Sequence, residues 1–281
     1  MTLKITPLGK HAGAEATGVD LSKPIHAETG ARLRAALVEH VALVVRDQKL
    51  DADGFVAAVR AAFAEPVPQN FTTERLDKDG FVGVVTNALL SKAGERVYHS
   101  AYWHTDHTNR EVPPSFTALY AVELPKSGGG DTGVVNTRAA YAALAPELRQ
   151  KIEGLKTVNV FQGSASKKRS FRNEVKTKAI DDKPVVHPLI RTVPETGGQA
   201  IYIHQGKVEN FVGMSPEASH ELIGELIEQA VKPEFVYRHK WRLGDLFIWD
   251  DRASMHQAYT DYDLQENRVL YRIVAGAERP V

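Results

Sequence analysis

The stretch Tyr102-Trp103-His104-Thr105-Asp106 decides how the rest of the chain is read. Side chains of an extended segment alternate between faces, so His104 and Asp106 point the same way past Thr105 and can share one ion. Far downstream, Trp249-Asp250-Asp251-Arg252-Ala253-Ser254-Met255-His256 offers a second imidazole. Two imidazoles and a carboxylate on one face of a metal leave the opposite positions open, as in non-haem Fe(II) oxygenases. A closed structural site would look different. His104, Asp106 and His256 are therefore the candidate metal ligands and the candidate catalytic centre. Taken alone, His-x-Asp is a short pattern of common residues in a chain with 11 His and 35 acidic residues, and a satisfied surface pair would read the same.

Composition narrows the classes. A chain of 281 residues with 43% hydrophobic and 25% charged residues can bury a sizeable core, which argues against disorder. Lysine plus arginine and aspartate plus glutamate both number 35, so no global field draws the protein to nucleic acid or to an anionic membrane. Any anion binding has to be local. Cysteine is absent, which removes disulfides, thiolate ligands and cysteine nucleophiles. No signal-like or membrane-spanning apolar run is visible, and the cytoplasm is the expected compartment.

Working outward, residues 3–20 read as a hairpin turning at 9–13, on an outer part of a sheet. Residues 29–40 carry Leu33, Ala36, Leu37 and Val41 at helical spacing and lead into Val41-Ala42-Leu43-Val44-Val45, whose unbroken apolar character suits a strand buried on both faces. A second helix is expected over 53–64. Residues 65–96 hold one strand-like piece, 80–85, in a surface segment that either covers a pocket or is a plain solvated connection. A strand over 115–122 and a glycine-rich turn at 126–130 follow, then a helix capped by Asn136 or Thr137 with Ala140, Leu144, Leu148 and Ile152 on its apolar face.

The basic run 167–178 lacks the aromatic interleaving of a nucleic-acid site and reads as a solvated loop, or else as a lid attracting an anion. Strands at 185–192 and 200–204 flank a turn at 194–198, and a helix over 216–231 has Ser215 as N-cap and Pro216 in its first position. Residues 235–274 read as three strands. No repeat or linker divides the chain, so one domain over 1–281 of mixed α and β character is expected.

The triplet, together with Gly129-Gly130-Asp131-Thr132, His187-Pro188-Leu189, the block from Gly244-Asp245 to His256, and Arg268 with Arg272, resembles the taurine and 2,4-dichlorophenoxyacetate dioxygenase family of Fe(II)- and 2-oxoglutarate-dependent enzymes. With the opening Ile5-Thr6-Pro7-Leu8-Gly9 to Gly18-Val19-Asp20, these blocks cover nearly the whole chain in family order. The resemblance implies an α+β fold with a mainly β core: a double-stranded β-helix, or cupin-like jelly roll, with flanking helices. It implies Fe(II) held by His104, Asp106 and His256, 2-oxoglutarate as cosubstrate, and O2 as oxidant. The reaction would hydroxylate an aliphatic C–H bond of a small anionic molecule while 2-oxoglutarate becomes succinate and carbon dioxide. A homo-oligomer, dimer or tetramer, is also implied, with neither nucleic acid nor membrane as partner.

Arg268 and Arg272 lie four apart in an expected strand, so they share a face, and guanidinium groups bind carboxylates through paired hydrogen bonds. In the family the first such arginine, helped by the threonine of the Gly-Gly-Asp-Thr turn, holds the distal carboxylate of 2-oxoglutarate. Here these are Arg268 and Thr132. Arg268 lies one position further from His256 than is common, which an added residue in the turn 261–267 would absorb. Arg272 is the expected contact for the anionic group of the primary substrate, unless it only pairs with a buried carboxylate. His99 is a candidate for lining the substrate pocket, His107 for a surface or outer-shell place, His187 for strand packing and His204 for facing the interior. A Zn hydrolase using the same triad is the rival enzymatic reading, and a barrel that binds small acids without catalysis is the other.

Overall fold

A computed structural model describes residues 2–68, 76–87, 101–161, 163 and 183–281. The opening forms the expected antiparallel hairpin, β1 (Lys4–Pro7) with β2 (Ala14–Thr17), at one edge of an eight-stranded sheet. Helix α1 (Ala27–His40) follows an N-cap, His26, that makes no side-chain bond, and leads into β3 (Ala42–Val45), all four residues of which are buried. Helix α2 (Ala52–Ala62) is capped by Asp51, which accepts from the Gly54 N–H. Next come β4 (Pro66–Val67), β5 (Gly83–Thr86), β6 (Phe116–Glu123) and β7 (Thr132–Asn136).

One helix was expected after β7; there are two, α3 (Thr137–Ala142) and α4 (Pro146–Ile152). Pro146 has no N–H to continue α3 and holds Ala145 in an extended conformation, φ −58° and ψ 144°. The expected strand over 185–192 is likewise two, β9 (Val185–Pro188) and β10 (Ile190–Val193), because they belong to different sheets. β9 pairs with β8 (Lys156–Asn159) and β10 with β11 (Gly198–Ile201). At the crossing, Leu189 donates to Leu155 and accepts from Tyr202.

β12 (Val208–Phe211) joins β8, and α5 (Pro216–Ala230) starts as expected, with Ser215 Oγ accepting from Ala218 N–H and Pro216 behind it. The last third holds four strands rather than three: β13 (Val236–His239), β14 (Leu246–Asp250), β15 (Ser254–Ala258) and β16 (Val269–Ala275). The break between β14 and β15 has neither glycine nor proline to announce it. Asp250 makes it, its carboxylate accepting from the Arg252 backbone and guanidinium while its carbonyl accepts from Ala253 N–H. Half of 65–96 and all of the basic run 167–178 lie outside the described residues, and the strand-like piece expected at 80–85 is β5.

Strand alternation sorts the side chains into layers. In β3, β6, β14 and β16, Leu43, Val45, Ala118, Tyr120, Leu246, Ile248 and Ile273 face α1 and α2. Their neighbours Ala42, Val44, Leu119, Ala121, Phe247, Trp249 and Leu270 meet Val134 of β7, from the sheet β13-β7-β15. A third cluster packs α3 and α5 on the far side of that second sheet, through Val135, Ala140, Leu222, Leu226 and Met255. The space between the two sheets therefore receives Thr117 of β6, Thr132 of β7, His256 of β15 and Arg272 of β16 by parity alone.

Asn136 ends β7 and starts α3: its Oδ1 accepts from Ala139 N–H, and its Nδ2 donates to the His11 carbonyl at 2.6 Å. Replacing Asn136 with Ala removes a helix cap and a buried hydrogen bond, together about 2 kcal/mol. The expected outcome is a lower urea midpoint at an unchanged m value, measured on the metal-free protein.

Candidate active site

The site is built on one backbone pairing. His104 N–H donates to the His256 carbonyl at 3.1 Å, and His256 N–H donates to the His104 carbonyl at 2.8 Å. Two residues that exchange both bonds are directly opposite in an antiparallel ladder and send their side chains to the same face. On its other flank the same short segment pairs with the chain at His204, and Thr105 N–H donates to Ile203. The alternation inferred from the sequence holds here: Thr105 turns away to bond the Ser254 carbonyl, while His104 and Asp106 share a face. Past Asp106 the chain turns through His107, whose φ is 54°.

One ligand atom from each of His104, Asp106 and His256 lies within 4.8 Å of the others. His104 Nε2 is 3.9 Å from Asp106 Oδ1, and His256 Nε2 is 3.7 Å from Asp106 Oδ2. These gaps are too long for hydrogen bonds but right for groups that share an ion about 2.1 Å from each. His104 Nδ1 lies 2.7 Å from the Tyr102 carbonyl, which fixes the proton there and leaves Nε2 as the donor for a metal. Burial, with the neighbouring His104 ring and against the pull of Asp106, keeps His256 well below the usual imidazole range. A neutral imidazole is the form that ligates. Burial pushes the Asp106 carboxyl up, but Arg272 and the surrounding imidazoles outweigh it and hold the group well below its usual range. Chemically and geometrically, the three residues fit a divalent metal.

Arg272 has the carboxylate partner that was the alternative to a substrate contact. Its Nη2 donates to Asp106 Oδ2 at 2.6 Å and lies 3.2 Å from His107 Nε2. His107, expected at the surface or in an outer shell, is 8% exposed and held neutral by burial, so its ring accepts from the arginine. Arg272 lies on β16 and Arg268 immediately precedes that strand, beside the register slip between β6 and β16 at Val269 and Leu270. Arg268 Nε donates to the Gly130 carbonyl at 2.7 Å and Nη2 to Thr132 Oγ1 at 3.3 Å. Trp241 Nε1 donates to the same hydroxyl at 3.1 Å. Gly130, with φ 66°, allows this approach, since a Cβ there would sit 3.0 Å from Arg268 Cδ. Arg268 is 5% exposed and forms no ion pair among the described residues, and burial lowers its guanidinium to about 10.

His187 packs as expected, its Nε2 2.8 Å from the Arg110 carbonyl, and His204 stacks edge-on against His104 at 5.0 Å. His99 lies outside the described residues. Four neighbours went unnoticed in the sequence: Thr117, Trp249, Asp251 and Trp241. Asp251 is 1% exposed, accepts from Thr117 Oγ1 at 2.6 Å and Trp249 Nε1 at 3.2 Å, and is pushed well up by burial and by Asp106. Only its place two residues after a buried tryptophan could have pointed to it. A separate groove of about 750 Å³, lined by Asp47, Lys49, Tyr120 and Leu243, contains none of these groups.

The family profile "Taurine catabolism dioxygenase TauD, TfdA family" matches residues 4–274. The chain belongs to this family. It is 31% identical to the alpha-ketoglutarate-dependent sulfate ester dioxygenase of Pseudomonas putida, over all of this chain and 92% of that one. It is 32% identical to pentalenolactone F synthase of Streptomyces arenae over 63% of this chain and 62% of that protein's length. The crystal structure of AAD-2 in complex with Mn(II) and N-oxalylglycine covers both chains fully, with TM-score 0.81 and 28% identity. The sheets described above are thus a jelly roll, and the protein is a 2-oxoglutarate-dependent dioxygenase that uses Fe(II). Among the described residues no helix is long and apolar enough to cross a membrane.

The buried imidazoles set a pH dependence. His107, His187, His239 and His256 all lie below the usual range because burial disfavours their charged form. Below about pH 6.5 the unfolded chain binds protons that the folded one refuses, so stability falls as pH drops through that value. Each imidazole contributes at most about 1.4 kcal/mol per pH unit. Asp251, raised, acts in the opposite sense but is one group against four. The urea midpoint of the metal-free protein should fall from pH 7.5 to 5.5; a flat or rising midpoint would contradict the burial argument.

Proposed function

We propose that His104, Asp106 and His256 hold Fe(II), that Arg268 and Thr132 hold the distal carboxylate of 2-oxoglutarate, and that the primary substrate is a small anion recognised through Arg272. The observation that carries this reading is Arg268. A guanidinium buried without a carboxylate partner is unfavourable, and this one is already aligned by Gly130 and Thr132 to receive an anion. A Zn hydrolase has no use for it, and a barrel that only binds small acids has no use for the intact set His104, Asp106 and His256.

Fe(II) held there would let O2 act as the oxidant, taking two electrons from 2-oxoglutarate and two from the substrate: one oxygen atom would enter the C–H bond as hydroxyl, the other would enter succinate, and carbon dioxide would leave. The chain's own residues do the rest. The ladder pairing of His104 and His256 fixes the direction of two ligands, and Arg272 keeps Asp106 ionised at the third. The Arg272 charge, set between Asp106 and the intersheet space, is the cation an anionic substrate would share. The apolar walls, Leu119, Phe247, Trp249 and Leu270, exclude water. The sulfate ester named for the Pseudomonas putida relative is such an anion. The same reading takes residues 1–281 as one catalytic domain, cytoplasmic, working as a dimer or tetramer, with His99 beside the substrate. The span of the family match and the absence of a spanning helix among the described residues support the domain and the compartment.

Asp106→Ala should lose turnover, because two imidazoles alone hold Fe(II) weakly and leave its charge uncompensated; full activity in iron-replete assay would remove Asp106 from the ligand set. Arg268→Ala should raise the 2-oxoglutarate requirement roughly ten- to hundredfold through loss of a charge-assisted bond. For the substrate, a panel of sulfonates, carboxylates, sulfate esters and neutral isosteres is scored by succinate formed above the substrate-free background. Anions should lead, and Arg272→Gln should weaken their binding more than that of 2-oxoglutarate. Equal substrate affinity in the two proteins would sink the anionic-substrate reading.

A further inference from the structure

The two imidazoles proposed to hold the metal are not held alike. His104 Nδ1 has the Tyr102 carbonyl at 2.7 Å. His256 Nδ1 is buried and has no hydrogen-bond partner among the described residues. A metal-bound imidazole carries its proton on the nitrogen away from the metal, and that N–H normally meets a carboxylate or carbonyl that sets the tautomer and the ring's direction. For His256 the facing group is Asp251, with Oδ1 4.0 Å from Nδ1.

We infer that Asp251 is the positioning residue for His256, receiving its Nδ1–H and so directing Nε2 to the metal. This inference rests on the metal-site reading above. Asp251 is built for the task. Its backbone N–H is tied to the Ser115 carbonyl at 2.9 Å, Thr117 Oγ1 donates to Oδ2 at 2.6 Å, and Trp249 Nε1 donates to Oδ1 at 3.2 Å. These three bonds orient the carboxyl plane and leave further lone-pair capacity on Oδ1 toward His256. Thr117 has one proton, and the distances give it to Asp251 rather than to Asp106 at 3.4 Å. Trp249 packs its ring on His256, centroids 4.5 Å apart, so the residue that fixes Asp251 also limits the tilt of the imidazole. Among the described residues the turn does not draw on the Asp251 carboxyl: Asp250 and Arg252 shape it, and Arg252 is satisfied by Asp250, Glu195 and Glu278. Asp251 touches neither substrate nor the reacting atoms; it acts through His256.

The test uses the full chain loaded with Co(II), whose paramagnetism shifts the exchangeable ring N–H protons of bound histidines out of the protein envelope. Wild type should show two such protons, and His104, secured by Tyr102, is the internal control. In Asp251→Leu the His256 proton should exchange into solvent and vanish while that of His104 persists, and Co(II) affinity should fall roughly ten- to hundredfold. Asp251→Asn keeps an acceptor oxygen and should restore the proton and most of the affinity. If the leucine variant does not fold, Thr117→Val, which frees Oδ2, should shift the His256 proton alone and weaken Co(II) several-fold. Both protons unmoved, with affinity unchanged, in either variant would overturn the proposal. Wild type showing no shifted ring protons would overturn the metal-site reading itself, which is a distinct failure.

Discussion

The reciprocal backbone bonds between His104 and His256 are the constraint on which the site depends. They bring residues far apart in sequence to adjacent ladder positions and turn both imidazoles to one face, with no contribution from the side chains themselves. β15 carries His256 and pairs with β7, where Val134 lies opposite His256, and β7 also carries Thr132. The metal-binding edge and the threonine beside Arg268 therefore move as one sheet. β16 brings Arg272 from the opposite sheet, with Arg268 just before its first residue, so packing of the two sheets over their shared apolar layer is what assembles the site.

Charge is distributed to suit that closure. Asp106 is half-buried against Arg272, whose charge outweighs desolvation and keeps the carboxylate ionised. Arg268 is buried with a carbonyl and a hydroxyl for partners, which orient it without discharging it. The first arrangement prepares a ligand for a cation, the second prepares a seat for an anion. Both leave the apo protein with electrostatic strain that its ligands relieve, a common trade of stability for function.

The metal triad was legible because it depends on a local rule, alternation across Thr105, and on one distant histidine. The strands β3 and β6 and the capped helix α5 were legible for the same reason: Val41 to Val45 is apolar throughout, and Ser215-Pro216 is a local start signal. Where the sequence misled, the deciding contact was remote or lacked a turn residue. Leu189 looks like one more apolar strand position, yet it divides its backbone bonds between two sheets. The turn at 251–253 is shaped by Asp250 and Arg252 rather than by glycine or proline, and the region 235–274 holds four strands where three were expected. For Arg272 the sequence left a substrate anion and a carboxylate partner both open, and no spacing rule picks out Asp106 as that partner. Asp251 has no role that the sequence reading assigned, and only the fold sets it beside His256.

The central claim is that one cleft holds a divalent iron beside a seat for 2-oxoglutarate. Anaerobic titration of the Fe(II) protein with 2-oxoglutarate, followed by visible absorption, tests it most directly. The expected result is a saturable metal-to-ligand charge-transfer band that is absent with Zn(II), lost in Asp106→Ala, and shifted to higher 2-oxoglutarate concentration in Arg268→Ala. Tight binding of 2-oxoglutarate with no such band, or a band indifferent to both substitutions, would contradict the account.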